Sequence, residues 1–194
     1  MRSSSRLLLR WSLPIVLALC LFGSAQATSL SDFYAYQTFA LGGGKPIPKS
    51  VSDKPFVSLR YAMTLDVNRH LISPAFSILA ETGGGLFDFS GHATNFDLGI
   101  LYGRRLVGSH GYLYAGAGLA YVHAVRERIV HYDNSPYYGY DSRTEQTYRI
   151  LGVPWNLSAA WMPDESFGLL FQLFGDINRS QSYHGWGVGL HLGG

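Results

Sequence analysis

The sequence predicts an all-β protein: a closed, up-and-down antiparallel transmembrane β-barrel of about eight strands, with an N-terminal signal peptide. Three observations support this fold class. Apolar residues recur at every second position rather than at helical spacing, which is the period of strands with two different faces. The connections between these segments alternate between long and short, as in up-and-down barrels with unequal ends. Charged residues make up only 14% of the 194 residues, well below the quarter typical of soluble domains.

Residues 1–27 have the pattern of a secretory signal peptide. Three arginines precede an uncharged apolar stretch at 11–22, and small residues on either side of Gln26 fit a cleavage site. The apolar stretch is shorter than the roughly 20 residues that a membrane-spanning helix needs. We therefore expect 1–27 to be removed and 28–194 to form the barrel domain.

Removal of this segment changes the charge and the cysteine count. Three of the 15 basic residues, none of the 13 acidic residues and the one cysteine lie within 1–27, so the mature chain has a net charge of −1 and no cysteine. This composition excludes a disulfide framework, a multi-cysteine metal site and a phosphate-binding nucleic-acid surface. The seven histidines show no metal-ligand spacing, so we expect no metal, no cofactor and no nucleic-acid partner.

Eight segments of the mature chain show the alternation. In the clearest one, Val57, Leu59 and Met63 alternate with small or polar residues. The predicted strands are 32–41, 55–67, 71–82, 93–107, 111–130, 144–162, 166–178 and 182–193. The fifth strand has small residues on both faces, so its facing stays open. Pro154 in the sixth indicates a bulge or a weaker strand, because proline cannot donate to a ladder.

The predicted connections differ in length at the two ends of the strands. Long ones span 42–54, 83–91 and 131–143, whereas tight ones fall at 68–70, 108–110 and 163–165, and the last, around 179–181, is also short. A closed sheet whose strands run up and down in sequence order produces this asymmetry.

The second face of the strands decides between a membrane barrel and a soluble one. Instead of many Lys, Glu and Thr, it carries Gly, Ala, Ser, Asn, Gln and isolated charges. Side chains that small suit the narrow interior of an eight-stranded barrel, which leaves the apolar face toward lipid. The aromatic girdles at the two membrane interfaces are then predicted from Tyr61, Tyr102, Tyr112, Tyr114, Trp155 and Trp161.

The inward positions include isolated charges, and we expect opposite charges to pair in a narrow lumen because an unpaired buried charge is costly. The predicted lumen polar cluster consists of Arg60, Asp66, Glu81, Asp97, Arg105 and Asp176. A polar plug that fixes the register is the favoured interpretation. A gate or a solute path is the alternative, although an eight-stranded lumen is narrow for an open pore.

Two stretches carry a resemblance to a known group of proteins. Residues 112–121 (YLYAGAGLAY) form a Tyr/Gly/Ala-rich strand, and 187–192 (GVGLHL) resemble the terminal-strand signal read by the barrel-assembly machinery. Over most of 28–194 the chain resembles the small eight-stranded outer-membrane barrels, the OmpA/OmpX-like group. The resemblance implies a monomer in the Gram-negative outer membrane, contacts with membrane lipid, lipopolysaccharide and that machinery, and a structural or surface-interaction role without catalysis.

Two alternatives remain beside this interpretation. The run HYDNS at 131–135 resembles the His-x-Ser-Asn motif of outer-membrane lipid A deacylases, with Asp133 in the place of the nucleophile. His131, Ser135 and Glu145 are therefore the candidate catalytic residues of a lipid A-modifying hydrolase. The other alternative is a soluble periplasmic barrel with its apolar face inside.

The fifth connection is the most distinctive exposed segment that the sequence predicts. Tyr132, Tyr137, Tyr138 and Tyr140 stand among Asn, Ser, Asp and Gly. Tyrosine gives a large contact area at low entropic cost, and small polar residues adapt to a partner. The sequence therefore predicts a candidate contact loop for a surface ligand.

Overall fold

The computed structural model describes residues 33–47, 55–67, 70–82, 93–132, 140–164 and 166–193. Within these residues eight strands form one closed barrel in sequence order. They are β1 (Phe33–Ile47), β2 (Phe56–Val67), β3 (His70–Glu81), β4 (Ala93–Gly108), β5 (Gly111–Tyr132), β6 (Tyr140–Asp164), β7 (Phe167–Asn178) and β8 (Ser182–Leu192). The predicted fold class is confirmed. Among the described residues no helix is long and apolar enough to cross a membrane. The predicted signal peptide lies outside them and stays a prediction.

The barrel closes through an antiparallel ladder between its first and last strands. β1 pairs with β8 from Gln37, opposite Leu192, to Ile47, opposite Ser182, and on its other side with β2. Closure leaves no sheet edge along the shared length of the strands, so every strand there has two neighbours. We call the end with the tight β2–β3, β4–β5 and β6–β7 turns the turn end, and the opposite end the loop end.

The two faces of the sheet have opposite character. Outward side chains are apolar and exposed, with Leu151 at 75% and Leu119 at 69% of full exposure, whereas inward Leu71 and Phe174 are fully buried. Most other buried inward positions are small or polar: Ser58, Thr64, Ser73, Ser77, Asn95, Ser158 and Gln172. The period-2 pattern thus separates an apolar outer face from a filled, largely polar lumen.

The facing of β5, which the sequence left open, is settled by its burial pattern. Leu113 and Leu119 are exposed outside, whereas Tyr112 and Tyr114 are buried inside. The prediction that Tyr112 and Tyr114 belong to aromatic girdles is therefore wrong. Leu113 lies between them in the sequence and faces outward, so the period of two turns both tyrosines into the lumen. Tyr102 and Trp161 do lie outside, each more than half exposed.

β1 is longer than predicted. The strand continues to Ile47, so the residues from Gly42 onward that were predicted as loop belong to the sheet. Gly42 and Gly44 face the backbone of β8 so closely that an added Cβ would collide with its carbonyl oxygens. A run of glycines reads as a flexible loop in the sequence, but here it allows the close approach of the closing strands.

β5 and β6 also run past their predicted ends and past their neighbours. β4 begins opposite Arg126 of β5, and β7 ends opposite Gly152 of β6. Residues 127–132 therefore pair only with 140–145, as a two-stranded extension that we call the ribbon. Tyr132 and Tyr140 lie opposite each other in this ladder rather than in a loop, whereas Tyr137 and Tyr138 lie outside the described residues.

The prolines are accommodated without a bulge. Pro154 lies within β6 and is in register with Asp176 of β7, while its ladder toward β5 is interrupted between Trp155 and Gly152. Because a residue in an antiparallel ladder donates to one neighbour only, proline costs one hydrogen bond on one side. The irregularity of the β6–β7 ladder lies instead between Trp161 and Asp164, at the turn end.

The close contact of Gly42 and Gly44 with β8, which we call the glycine seam, gives a test of barrel closure. Gly42→Ala places a methyl group against the Trp186 carbonyl of β8, and we expect the free energy of unfolding to fall by about 1–3 kcal/mol, as for other overpacked sites. Urea titrations followed by tryptophan fluorescence measure the change. Gly108→Ala is the matched control, since its nearest neighbour would be 3.6 Å away, and an equal loss in both variants would contradict the seam.

Candidate functional site

Charged and aromatic side chains fill the loop-end half of the lumen. This loop-end cluster contains Arg60, Asp97, Phe174, Asp176 and Tyr183, all less than 9% exposed. The Arg60 guanidinium carbon lies 4.3 Å from the centroid of the Phe174 ring, and the Tyr183 hydroxyl donates to Asp97. Strands β2, β4, β7 and β8 each contribute, so the cluster links strands that are not neighbours in the sheet.

Charge balance explains how Arg60 is tolerated in the lumen. Asp97 and Asp176 both attract its guanidinium group. Ser77 donates to Asp97 over 3.4 Å, and Asn178 donates to Asp176 over 2.6 Å. Among the described residues Arg60 Nη1 has no hydrogen-bond partner. The cation–π contact with Phe174 adds to the electrostatic attraction of the two carboxyl groups.

A second set of side chains fills the turn-end half of the lumen. This turn-end cluster contains Tyr36, Asp66, Arg105, Tyr112 and His191. Arg105 forms an ion pair with Asp66, and its guanidinium carbon lies 5.7 Å from the Tyr112 ring centroid. The ring centroids of Tyr36 and His191 lie 4.4 Å apart. The cluster therefore joins both closing strands to β2, β4 and β5.

His191 ties the end of β8 across the lumen. Its Nε2 lies 2.7 Å from the Gly193 carbonyl oxygen, and its Nδ1 lies 2.9 Å from the Tyr112 hydroxyl. A carbonyl only accepts, so Nε2 carries the proton and Nδ1 accepts from Tyr112. Gly193 has a positive φ of 93° and donates its N–H to Ser166 over 2.8 Å, which closes the barrel end against the β6–β7 turn.

Between the two clusters lies a small polar cavity of about 30 Å³. Thr64 and Ser73 are hydrogen-bonded to each other over 2.9 Å in its wall. Tyr114 Oη and Asn156 Oδ1 have no partner among the described residues. A water needs about 10–15 Å³ of such space and several polar neighbours, so the cavity has room for a few waters and not for an organic substrate.

The described residues contain no arrangement that fits nucleophilic catalysis. One serine–histidine contact exists, 2.9 Å between Ser109 Oγ and His110 Nδ1, but it joins neighbours in an exposed turn. Within the described part of the chain no carboxylate contacts His110, and a base needs such an orienting group. The same residues hold no group of three metal-ligating side chains.

The predicted site residues fall in different places. Arg60, Asp97 and Asp176 lie together at the loop end, and Asp66 pairs with Arg105 at the turn end. Glu81 is half-buried at the loop end of β3, opposite Phe56. Of the candidate catalytic residues, the backbone of His131 pairs with Asp141 and that of Glu145 with Glu127. Ser135 lies outside the described residues.

Sequence reasoning missed the aromatic part of both clusters. Phe174, Tyr183 and Tyr36 are buried in the lumen, whereas the lumen cluster predicted from the sequence contains charged residues alone. The available signal was parity: Phe174 shares the face of Gln172, and Tyr183 shares the face of Gly185. An aromatic residue on a face that is otherwise small and polar indicates a lumen residue that fills space beside a charge.

Comparisons with known proteins identify the fold. No protein-family model and no curated protein sequence matches the chain. Neisserial surface protein A (NspA) has a TM-score of 0.55 at 11% identity, over 82% of this chain and 95% of its own. Ail, the attachment invasion locus protein of Yersinia pestis, has a TM-score of 0.50 at 9% identity, over 84% and 98%. The chain has the fold of such small eight-stranded barrels.

The Asp66–Arg105 pair gives a test of the turn-end cluster. We expect Arg105→Gln to lower the free energy of unfolding by about 3 kcal/mol, because the Asp66 carboxylate is buried. Asp66→Asn should lower it by less, because the Arg105 side chain is partly exposed. The double variant should lose less than the sum of the two single losses. Urea unfolding measures all three. Arg179→Gln, at an exposed position, should change stability by less than about 0.5 kcal/mol, and additive or equally small losses in the pair would contradict its role.

Proposed function

We propose that this chain, whose fold is that of the small eight-stranded outer-membrane barrels, lies in the outer membrane of a Gram-negative bacterium and acts there without catalysis, as a structural or surface-interaction protein. The observation that carries the proposal is the distribution of polarity. Large exposed apolar side chains surround the barrel, including Leu98, Ile100, Leu106, Leu113, Leu119, Leu151, Leu157, Leu169, Phe171, Trp186 and Val188. Such a surface is costly in water and matches hydrocarbon.

The same distribution disfavours the soluble periplasmic barrel. A soluble barrel of this size buries its apolar face and exposes its polar one, whereas here Ser58, Asp97 and Gln172 are inside while Leu119 and Leu151 are outside. Backbone groups are satisfied along the closed part of the sheet, which is the condition for crossing lipid as strands.

Orientation follows from the two ends. Barrels of this kind place short turns in the periplasm and longer loops outside the cell, so the loop end and the ribbon would face outward. Among the described residues the ribbon projects past its neighbours. Two predicted contact tyrosines, Tyr132 and Tyr140, pair within it, and Tyr137 and Tyr138 belong to the segment between its strands. A surface-ligand role would agree with the names of the structural neighbours, a surface protein and an attachment invasion locus protein.

Contact with lipopolysaccharide is a further part of the proposal. Lys45 lies opposite His184 and His123 opposite Arg149 in the ladders near the loop end. Lys45, His184 and Arg149 are exposed and His123 is partly exposed. Cations just above an apolar belt suit the phosphates of the outer leaflet. We also propose insertion by the barrel-assembly machinery through β8, and a monomer because closure leaves no free edge along the barrel wall.

The lumen supports the non-catalytic part of the proposal. The loop-end and turn-end clusters occupy it, and the cavity described between them holds no more than a few waters. Their side chains therefore act as a plug that fixes the register of distant strands. The lipid A hydrolase gains no support from a contact within the described residues, and we keep it as the alternative that an activity assay on purified lipopolysaccharide decides.

Location and orientation are tested together. The full chain, expressed in a Gram-negative host, should fractionate with the outer membrane and shift in gel mobility on heating. Arg179→Cys at the loop end should react with a membrane-impermeant maleimide on intact cells. Ser109→Cys in a turn at the opposite end should react only after the outer membrane is opened. The cysteine within 1–27 does not interfere if that segment is cleaved, and Cys20→Ser removes it otherwise. A soluble protein without heat modifiability would contradict the proposal.

A further inference from the structure

An organised basic site lies on the outer face near the turn end. Arg104 Nη2 lies 3.2 Å from His70 Nε2, and His70 Nδ1 lies 2.5 Å from the Tyr102 hydroxyl. Because a guanidinium group only donates, His70 accepts at Nε2 and its Nδ1–H donates to Tyr102. The imidazole thus orients the guanidinium group of the exposed Arg104.

This basic site has no acidic neighbour within the described residues. Arg104 is exposed and no ion pair joins it to Asp or Glu, whereas inward Arg105, the next residue, is paired with Asp66. His70 and Arg104 lie opposite each other in the β3–β4 ladder. An oriented, unpaired guanidinium group beside an apolar belt suits a phosphate, because charge-assisted hydrogen bonds to phosphate oxygens are strong.

A shallow apolar groove begins at the same place. Ala115 and Ala117 of β5 are exposed on the outer face, opposite Arg104 and Tyr102 on one side and opposite Leu157 and Trp155 on the other. The two alanines form a floor between larger side chains.

The groove is bounded along β5 as well as across it. Leu113 and Leu119, at 59% and 69% exposure, close its two ends. The Trp155 indole lies against Gly175 on its far side, away from β5, which leaves the floor open. An apolar floor of two alanines between larger side chains suits part of an acyl chain.

We infer that this surface binds one glycerophospholipid of the periplasm-facing leaflet, with its phosphate on Arg104 and an acyl chain over Ala115 and Ala117. The inference rests on the proposed outer-membrane location, which places the turn end at that leaflet. Charge complementarity and the adjoining apolar floor together select a phosphate-bearing lipid over a neutral one. His70 and Tyr102 act as positioning residues, since they orient the guanidinium group.

Trp155 borders the groove and reports lipid that lies near it. In a Trp161→Phe, Trp186→Phe background it is the one tryptophan of the residues 28–194. The full chain, extracted from outer membranes in dodecyl maltoside, is titrated with phosphatidylglycerol brominated on its acyl chains and, separately, with diacylglycerol carrying the same chains. Bromine atoms on an acyl chain quench the fluorescence of a nearby tryptophan. We expect phosphatidylglycerol to quench at about five-fold lower mole fraction, as one interfacial cation predicts.

Variants separate the two halves of the site. Arg104→Gln should remove the difference between the two lipids, Arg104→Lys should keep part of it, and Arg179→Gln, at an exposed position near the loop end, should keep all of it. Ala117→Leu, which fills the floor, should weaken quenching by both lipids. Equal quenching by the two lipids in the parent protein, an undiminished difference in Arg104→Gln, or unchanged quenching in Ala117→Leu would overturn the inference.

The same samples distinguish failure of the inference from failure of the proposed function. Heat modifiability is measured first for each variant, and Arg104→Lys and Ala117→Leu serve if Arg104→Gln does not fold. A parent protein that is absent from outer membranes contradicts the proposed function. A heat-modifiable outer-membrane protein that shows no preference for the phosphate-bearing lipid contradicts only the inference.

Discussion

Closure of the sheet between β1 and β8 is the constraint on which the rest of the structure depends. The ladder from Gln37 to Ile47 gives both strands a second neighbour, so the backbone of the wall is satisfied without solvent. Glycines at 42 and 44 let the backbones approach where a Cβ would collide. Once eight strands are closed, the lumen is narrow and each inward side chain has a fixed set of neighbours.

The narrow lumen explains why its charged side chains lie next to groups that attract them. Arg105 forms an ion pair with Asp66, and Arg60 lies over the Phe174 ring and is attracted by Asp97 and Asp176. A buried charge without a partner would retain its desolvation cost, because no electrostatic attraction would offset it. Because these contacts join strands that are not adjacent, a slip of one residue in any ladder would turn the charges outward. These contacts therefore favour the observed register of the ladders.

The outer face follows a different rule. Aliphatic and aromatic side chains cover it, and its basic groups lie near the two ends: Lys45 and His184 in a loop-end ladder, Arg104 and His70 in a turn-end ladder. A membrane barrel meets hydrocarbon in the middle and charged headgroups at both rims. In the proposed outer-membrane location, these two basic rims would meet the headgroups of the two leaflets, and the ribbon would lie outside the cell.

The sequence by itself determined the fold class, the approximate strand positions and the face of most residues, because the period of two is a property of the extended backbone. It also placed Arg60, Asp66, Asp97, Arg105 and Asp176 on the inner face. Only the tertiary structure decided which of them meet, since Tyr183 reaches Asp97 from 86 residues away. It also placed Tyr112 and Tyr114 on the inner face rather than in the outer girdles. Residues 42–45, which were predicted as loop, belong to β1. Composition cannot show these outcomes, because they depend on which strand lies across the lumen or beside the closing seam.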